Sequence, residues 1–341
     1  MVIGMTYDLK TEYVFKAGDP LDANAEFDHP STIDVICDAL TALGHRVVRI
    51  GNMEQLLSTV NRLAVDIVFN VAEGQAGRNR EAQVPILLEM KGIPYVGSDA
   101  LSLSLTLDKL MTKKVLLGEG IPTPRHFTML HADDRVPPDL DFPLIVKPRC
   151  EGSSKGISER SVVHSLAELK AQAAWVIETY RQPALVEEFI RGTEFTVAVI
   201  GNDPPETYPV VQIQIDGRLD LGELFYTFSR IASGADYLCP ARIDAPLEKQ
   251  LRELALRTYQ AVECLDFGRV DFRVDGKGNP YVLEINPLPS LSTEDVFMVL
   301  ALNEGVRYET LIGRIVEAAA KRYGSPLKSD RPSASSTVHR A

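Results

Sequence analysis

The 341-residue chain carries 36 Lys and Arg against 47 Asp and Glu, for a net charge of −11 and a pI near 5.1, with 45% hydrophobic and 24% charged residues. This is globular composition over a length that suits two or three domains. The acidic balance argues against nucleic acid or an anionic membrane as partner, so any nucleotide must be held by local charge. No apolar run reaches a membrane span, the start MVIGMTYDLK reads as a strand rather than a signal peptide, and Cys37, Cys150, Cys239 and Cys264 lack zinc spacing. A reduced, cytoplasmic protein is expected.

In chain order, strands are expected at residues 2–6, 45–50, 66–70 and 93–96, and helices at 32–43, 53–63 and 81–91, with Gly44 and Gly92 as stops. This alternation predicts a parallel sheet with helices on both faces, whose ligands meet the carboxyl ends of the strands, here Tyr7-Asp8 and residues 70–80. Residues 10–30 form a long polar stretch without period, which implies function or disorder. A helix over 105–118 carries Asp108, Lys109, Lys113 and Lys114, and a two-proline linker follows at 121–124. Strands at 125–128, 142–147 and 184–187 bracket a helix at 166–179. The pattern then turns β-rich (193–200, 209–215), passes a loop at 217–240, and adds helices at 246–263 and 309–323. The Pro/Ser-rich tail 325–341 reads as disordered.

The most informative stretch is GRVDFRVDGKGNPYVLEINPLP, residues 268–289. Two alternating runs around Asp275-Gly276-Lys277-Gly278-Asn279 predict a β-hairpin. Centring the turn between Lys277 and Gly278 sets Asp271 opposite Glu284 and Arg269 opposite Asn286. The other face then pairs Phe272 with Leu283, Val270 with Ile285 and Val274 with Tyr281, all on a core. Facing carboxylates repel, so something positive should sit between them. Asp271, Glu284 and Asn286 offer only oxygen, which suits Mg²⁺ that keeps water and phosphate oxygens, with Arg269 beside it for a developing oxyanion. The plainer alternative is a solvated hairpin face.

The loop Lys147-Pro-Arg-Cys-Glu-Gly-Ser-Ser-Lys-Gly156 can converge backbone N–H groups on an anion, with Lys147 and Lys155 adding charge, although it is not a Walker A motif. Taken alone, such a Gly/Ser loop is more often just a turn. Glu187-Glu188-Phe189-Ile190 ends an apolar strand and can wall an adenine, with Glu194 placed for ribose hydroxyls; each residue singly is also an ordinary strand end.

Taken in order, the Lys109 helix, Lys147-Pro…Glu151-Gly-Ser-Ser, Glu187-Glu-Phe-Ile…Glu194-Phe-Thr-Val and Gly268-Arg-Val-Asp…Leu283-Glu-Ile-Asn resemble the ATP-grasp superfamily. Gly92-Ile-Pro-Tyr-Val-Gly-Ser98, Gly120-Ile-Pro-Thr-Pro124 and Tyr237-Leu-Cys-Pro-Ala241 narrow the resemblance to the D-alanine–D-alanine ligase family, over residues 65–323. It implies an α/β and α+β architecture: an ATP-grasp fold with an N-terminal parallel-sheet, Rossmann-like (pre-ATP-grasp) domain. The expected units are a substrate domain at 1–104, a subdomain with the glycine loop at 105–191, and one with the metal site at 192–324. It further implies ATP, two Mg²⁺ ions for which Mn²⁺ can substitute, an acylphosphate, small carboxylate and amine substrates, and a homodimer.

By the same resemblance, Lys109 and Lys147 go to the ATP phosphates and Ser153 and Ser154 to the loop over them. Glu187, Glu188, Phe189, Ile190, Phe272 and Leu283 go to adenine, Glu194 to ribose, and Asp271, Glu284 and Asn286 to the metal. Arg269, Ser153 and Lys147 carry the chemistry. The departures concern the substrate. The family's amino-terminal Gly-Gly-x-Ser-x-Glu stretch is absent, leaving Glu26 and Asp28 as the next acids. Glu73-Gly-Gln-Ala-Gly-Arg78-Asn-Arg80 carries arginines where acids are usual, Ser229-Arg230 replaces a Lys-Tyr pair, and Leu288-Pro-Ser290-Leu-Ser292 leads to Asp295 where a serine would grip the second carboxylate. Glu73, Arg78, Arg80, Arg230 and Ser290 are candidate substrate contacts, with internal ion pairs as the alternative for Arg78 and Arg80. The expectation is an ADP-forming carboxylate–amine ligase that makes a peptide or amide bond between small amino-acid-like substrates; an authentic D-alanine–D-alanine ligase and a non-catalytic ATP-binding subunit are the alternatives.

Overall fold

The computed structural model describes residues 1–138, 140–227 and 236–324. Strands β1 (Val2–Thr6), β2 (Arg46–Gly51), β3 (Ile67–Asn70) and β4 (Tyr95–Val96) form a parallel sheet in the order β2-β1-β3-β4. Helices α1 (Pro30–Ala42), α2 (Met53–Thr59) and α3 (Gln83–Met90) connect them. In α1, Pro30 opens the helix, and Ile33, Ile36, Cys37 and Leu40 make one buried face. Residues 10–28 are a folded strap: Leu9 bridges Asp28, and the Tyr13 ring packs on Phe15 at 5.0 Å and Phe27 at 5.7 Å.

The helix expected over 105–118 is two helices, α4 (Ala100–Leu107) and α5 (Lys109–Gly118). Asp108 breaks them, because it adopts extended backbone and its carboxylate caps α5 by accepting from Met111 N. A second sheet, antiparallel, has β5 (His126–Met129), β6 (Leu144–Pro148), β7 (Val162–Val163) and β8 (Ala184–Glu188) in the order β5-β8-β6-β7. It is covered by α6 (Leu166–Tyr180) through Leu169, Ala173 and Val176.

The third sheet holds β9 (Gly192–Ile200), β10 (Glu206–Thr207), β11 (Val211–Gln214), β12 (Asp236–Leu238), β13 (Phe267–Asp275) and β14 (Pro280–Asn286). Its order is β12-β11-β9-β13-β14, with β10 on β9 and α7 (Ala245–Ala261) across one face. Two helices follow, α8 (Val296–Glu304) and α9 (Tyr308–Arg322). The apolar run of α8 has no helical period, which is why the sequence did not announce it. Leu311, Ile312 and Ile315 of α9 pack in one core with Ile3, Ile33 and Leu40, so the carboxyl-terminal helix closes the amino-terminal sheet. Among the described residues no helix is long and apolar enough to cross a membrane.

The β13–β14 hairpin keeps the expected pairs Arg269–Asn286, Val270–Ile285 and Asp271–Glu284. A bulge then shifts the register, so that Phe272 faces Val282, and Val274 faces Pro280. Leu283 is the extra residue. It leaves the core face and turns into the cleft described next.

Candidate active site

A cleft opens between the second and third sheets. It brings together Lys109, Lys147, Ser154, Glu187, Glu188, Phe189, Ile190, Glu194, Leu283 and Glu284, residues far apart in sequence. Its mixed apolar and charged walls suit a nucleotide. Arg273 lines it too, 4.8 Å above the Phe189 ring, with its Nε buried and without a hydrogen bond. Phe272 departs from expectation: as an odd-numbered step away from the cleft face it is fully buried beneath the sheet with Val270 and Val282 and cannot touch the cleft.

Three lysines converge through carboxylates. Glu187, at 1% exposure, lies between Lys113 (3.1 Å) and Lys147 (3.0 Å). Burial alone would raise its carboxyl, but the two ammonium groups outweigh burial and hold it below the usual range. Its side chain is therefore committed to lysines, and only the backbone of this stretch remains for an adenine edge. Lys113 donates to Thr123 Oγ1 at 2.8 Å, and burial pushes it down to about 8. Lys109 is placed by Asp108, whose fully buried carboxylate also accepts Arg149 (2.6 and 2.7 Å) and Arg78 (2.7 Å). Arg78 is thus spent on positioning the start of α5, the internal pairing weighed against a substrate role.

The hairpin face attracts cations. Lys109 Nζ lies 2.9 Å from Glu284, and Arg269 grips both oxygens of Asp271 at 3.0 Å. Burial would raise Glu284, yet Lys109 and Lys147 hold it at about 2. With Asn286 across from Arg269, this all-oxygen set of two carboxylates and an amide fits a hard divalent ion. Asn286 Oδ1 accepts from Leu288 N at 3.0 Å, which fixes its rotamer.

The glycine loop leaves β6 after Pro148. Ser153 and Ser154 both have positive φ (46° and 53°), turning the loop back so that Ser154 lines the cleft while Ser153 is exposed. Gly156 must be glycine: a Cβ there would sit 2.4 Å from Pro148 Cγ. The strap fastens this loop at both ends. Glu26 accepts from Gly152 N and from Arg80, and Asp22 accepts from Gly156 N at 2.7 Å and Tyr180 OH at 2.9 Å. Nothing in the residue pattern of 10–30 marked Asp22.

Arg80, 5% exposed, also donates to Cys150 O at 2.9 Å and lies 3.6 Å from Glu151, so it joins the strap, the glycine loop and α3's approach. Glu26, Glu73 and Glu81 bring carboxylate oxygens within 4.8 Å of one another around it. Burial raises Glu73 well above the usual range and lifts Glu81 to about 8, with Glu26 adding repulsion. Glu81 therefore binds a proton more tightly folded than unfolded, and the stability this confers is full below about pH 4.5 and lost as pH rises through about 8. Glu81→Gln is expected to flatten the fall of unfolding free energy between pH 5 and 8, read by urea titrations at stepped pH; an unchanged slope would contradict the assignment. Ser290 accepts from Ser292 N in the turn after the hairpin. Arg230, together with Ser229, lies outside the described residues.

Comparison with known proteins supplies the context. The profile described as D-ala D-ala ligase C-terminus matches residues 119–317. The chain is 36% identical over 85% of its length, and 88% of the relative's, to the uncharacterized protein y4sG of Sinorhizobium fredii (strain NBRC 101917 / NGR234). It is 35% identical to the D-alanine--D-alanine ligase of Carboxydothermus hydrogenoformans, over 84% of this chain and 91% of that one. In fold it matches the crystal structure of D-alanine--D-alanine ligase from Bacillus anthracis complexed with ATP, with a TM-score of 0.73 at 24% identity, covering 94% of this chain and 98% of that one. The chain therefore belongs to the D-alanine–D-alanine ligase family of ATP-grasp enzymes.

Proposed function

We propose that this chain is an ATP-dependent, ADP-forming ligase that joins a small carboxylic acid to a small amine through an acylphosphate, on substrates other than a pair of D-alanines. Family membership gives the ligase class. The observation that carries the rest is the meeting of Lys109, Lys147 and Glu284 at the end of the cleft, with Arg269 beside them.

Phosphoryl transfer asks for positioning and charge neutralisation more than for covalent help. Lys109 and Lys147 hold the phosphates, Phe189, Ile190 and Leu283 wall the base, and Glu194 accepts from ribose. Asp271, Glu284 and Asn286 hold Mg²⁺, which when bound screens the phosphate charge. Lys109 then exchanges Glu284 for a phosphate oxygen. Arg269, which rests on Asp271, would stabilise the oxyanion of the tetrahedral intermediate. The glycine loop, held by the strap, keeps water from the acylphosphate. Among the described residues no side chain stands as an evident general base, and the incoming amine gives its proton to water or to departing phosphate. The units 1–104, 105–191 and 192–324, a cytoplasmic location and a homodimer complete the reading; the exposed Leu57, Ile86 and Met90 on α2 and α3 support a dimer through the amino-terminal unit.

An ADP-release screen over D- and L-amino acids, singly and in pairs, with Mg²⁺, tests this. Turnover with mixed pairs or non-alanine acids is expected. Turnover with D-alanine alone would assign the relatives' own activity instead, and tight ATP binding without ADP release from any acid would leave a nucleotide-binding subunit.

A further inference from the structure

Resting on the ligase reading above, one buried cation in the nucleotide cleft indicates how the sugar is chosen. Arg269, Asp271 and Arg273 are alternate residues of β13, so their side chains share one face of the third sheet. Arg273 lies two residues, roughly 7 Å, along the strand from the metal candidate Asp271. That step leads from a metal-bound triphosphate toward the ribose. The neighbouring strand β9 sets Glu194 directly opposite Arg273, and both residues line the cleft.

The hydrogen bonds of Arg273 go to main-chain carbonyls rather than to Glu194. Its Nη2 donates to Gly192 O at 3.1 Å, Gly222 O at 3.3 Å and Leu224 O at 2.9 Å. The guanidinium lies 4.8 Å above the Phe189 ring, and Phe225, next to Leu224, meets that ring edge-on at 5.6 Å and lines the cleft as well. The group is therefore fixed from two sides, by backbone and by the aromatic wall, as a positioned donor must be. Its Nε alone is buried without a partner. A buried cationic N–H without an acceptor is costly, and a ligand that brings the acceptor relieves that cost.

The ligand atom needed there follows from the two residues. Arg273 can only donate, and Glu194 when ionised can only accept. A hydroxyl serves both at once, giving its hydrogen to the carboxylate and a lone pair to the guanidinium. We propose that Arg273 is a specificity residue for the nucleotide: its Nε donates to the ribose hydroxyl whose hydrogen Glu194 accepts, so that the cleft selects a ribonucleotide over a deoxyribonucleotide. Because Nη2 holds Gly222 and Leu224, filling the ribose site also steadies the stretch that brings Phe225 to the base.

The test measures binding of ATP, 2′-deoxy-ATP and 3′-deoxy-ATP with Mg²⁺ by titration calorimetry, with no acid present, so that chemistry does not enter. The wild type is expected to bind ATP at least thirtyfold more tightly than one of the deoxy analogues. Arg273→Met keeps an unbranched side chain against Phe189. In it the Kd for ATP is expected to rise and that preference to fall about tenfold, with the Kd for the deoxy analogue nearly unchanged. Arg273→Lys, whose single ammonium can serve the carbonyls or the hydroxyl but not both, is expected to lie between, and it carries the test where Arg273→Met does not fold. A merely structural role would weaken all three nucleotides alike. Equal binding of the three by the wild type, or a preference that survives intact in the variants, would overturn the role of Arg273 while leaving the ligase reading untouched. Absence of binding by every nucleotide would remove the ligase reading itself, and this inference with it.

Discussion

Glu284→Gln is expected to lower ADP release by about 10³-fold at saturating ATP and Mg²⁺, with the fold retained. Glu284 is the carboxylate on which two demands meet. It faces Asp271 across the hairpin, and its Oε2 lies 2.9 Å from Lys109. The amide keeps the size and one oxygen but removes the charge that makes the oxygen a good Mg²⁺ ligand. Lys109 also loses its resting partner, and Arg269 on Asp271 is left to face the phosphates with one anion fewer between them. The loss should appear in kcat rather than in ATP affinity, because the base and ribose contacts lie at the other end of the cleft. ADP release by Glu284→Gln within tenfold of wild type would mean that the hairpin does not hold the metal. Substituting Mn²⁺ should recover part of the rate.

The second large effect belongs to the strap. Glu26→Ala is expected to cost about 3–5 kcal/mol of unfolding free energy, because it leaves the buried Arg80 guanidinium without its closest anion. Burial would raise Glu26, yet Arg80, Lys155 and the Gly152 N–H outweigh it and hold its carboxyl below the usual range. The same residue meets the glycine loop, so catalysis should suffer beyond the stability loss, with uncoupled ATP hydrolysis rising as the loop opens to water. Arg80→Met alone should be comparably damaging, and the double variant less damaging than the sum, since both single changes break the same ion pair. Urea denaturation of the four chains reads this directly. A loss under 1 kcal/mol in Glu26→Ala would show that Glu81 and Glu151 hold Arg80 unaided.

The parts of this molecule legible in its sequence are those whose information is local. The parallel sheet followed from strand–helix alternation, and the Asp271–Glu284 pairing followed from period-two alternation around a glycine turn. The demand for a positive group between those acids was answered by Lys109 and Arg269, two residues that no local pattern ties together. Where the reading failed, one residue changed the geometry. The bulge at Leu283 is a single insertion that alternation cannot register, and it moves Leu283 into the cleft while Phe272 stays in the core. Asp108 sits in a good helical window yet breaks it, because capping α5 and gathering Arg78 and Arg149 outweigh propensity. The assignments at Glu187 and Arg78 were shaped by partners 74 and 30 positions away in sequence, Lys113 and Asp108. The strap was legible only as something unusual; its grip on Gly152 and Gly156 is purely tertiary.

Central to the proposed function is that ATP activates a carboxylate at the oxygens gathered around Glu284. The direct measurement uses an acid found to support turnover, labelled with ¹⁸O in its carboxylate, followed by mass analysis of the phosphate released. Transfer of one ¹⁸O into inorganic phosphate per amide formed, with ADP as the nucleotide product, is the predicted result. Unlabelled phosphate, or AMP with pyrophosphate, would contradict it.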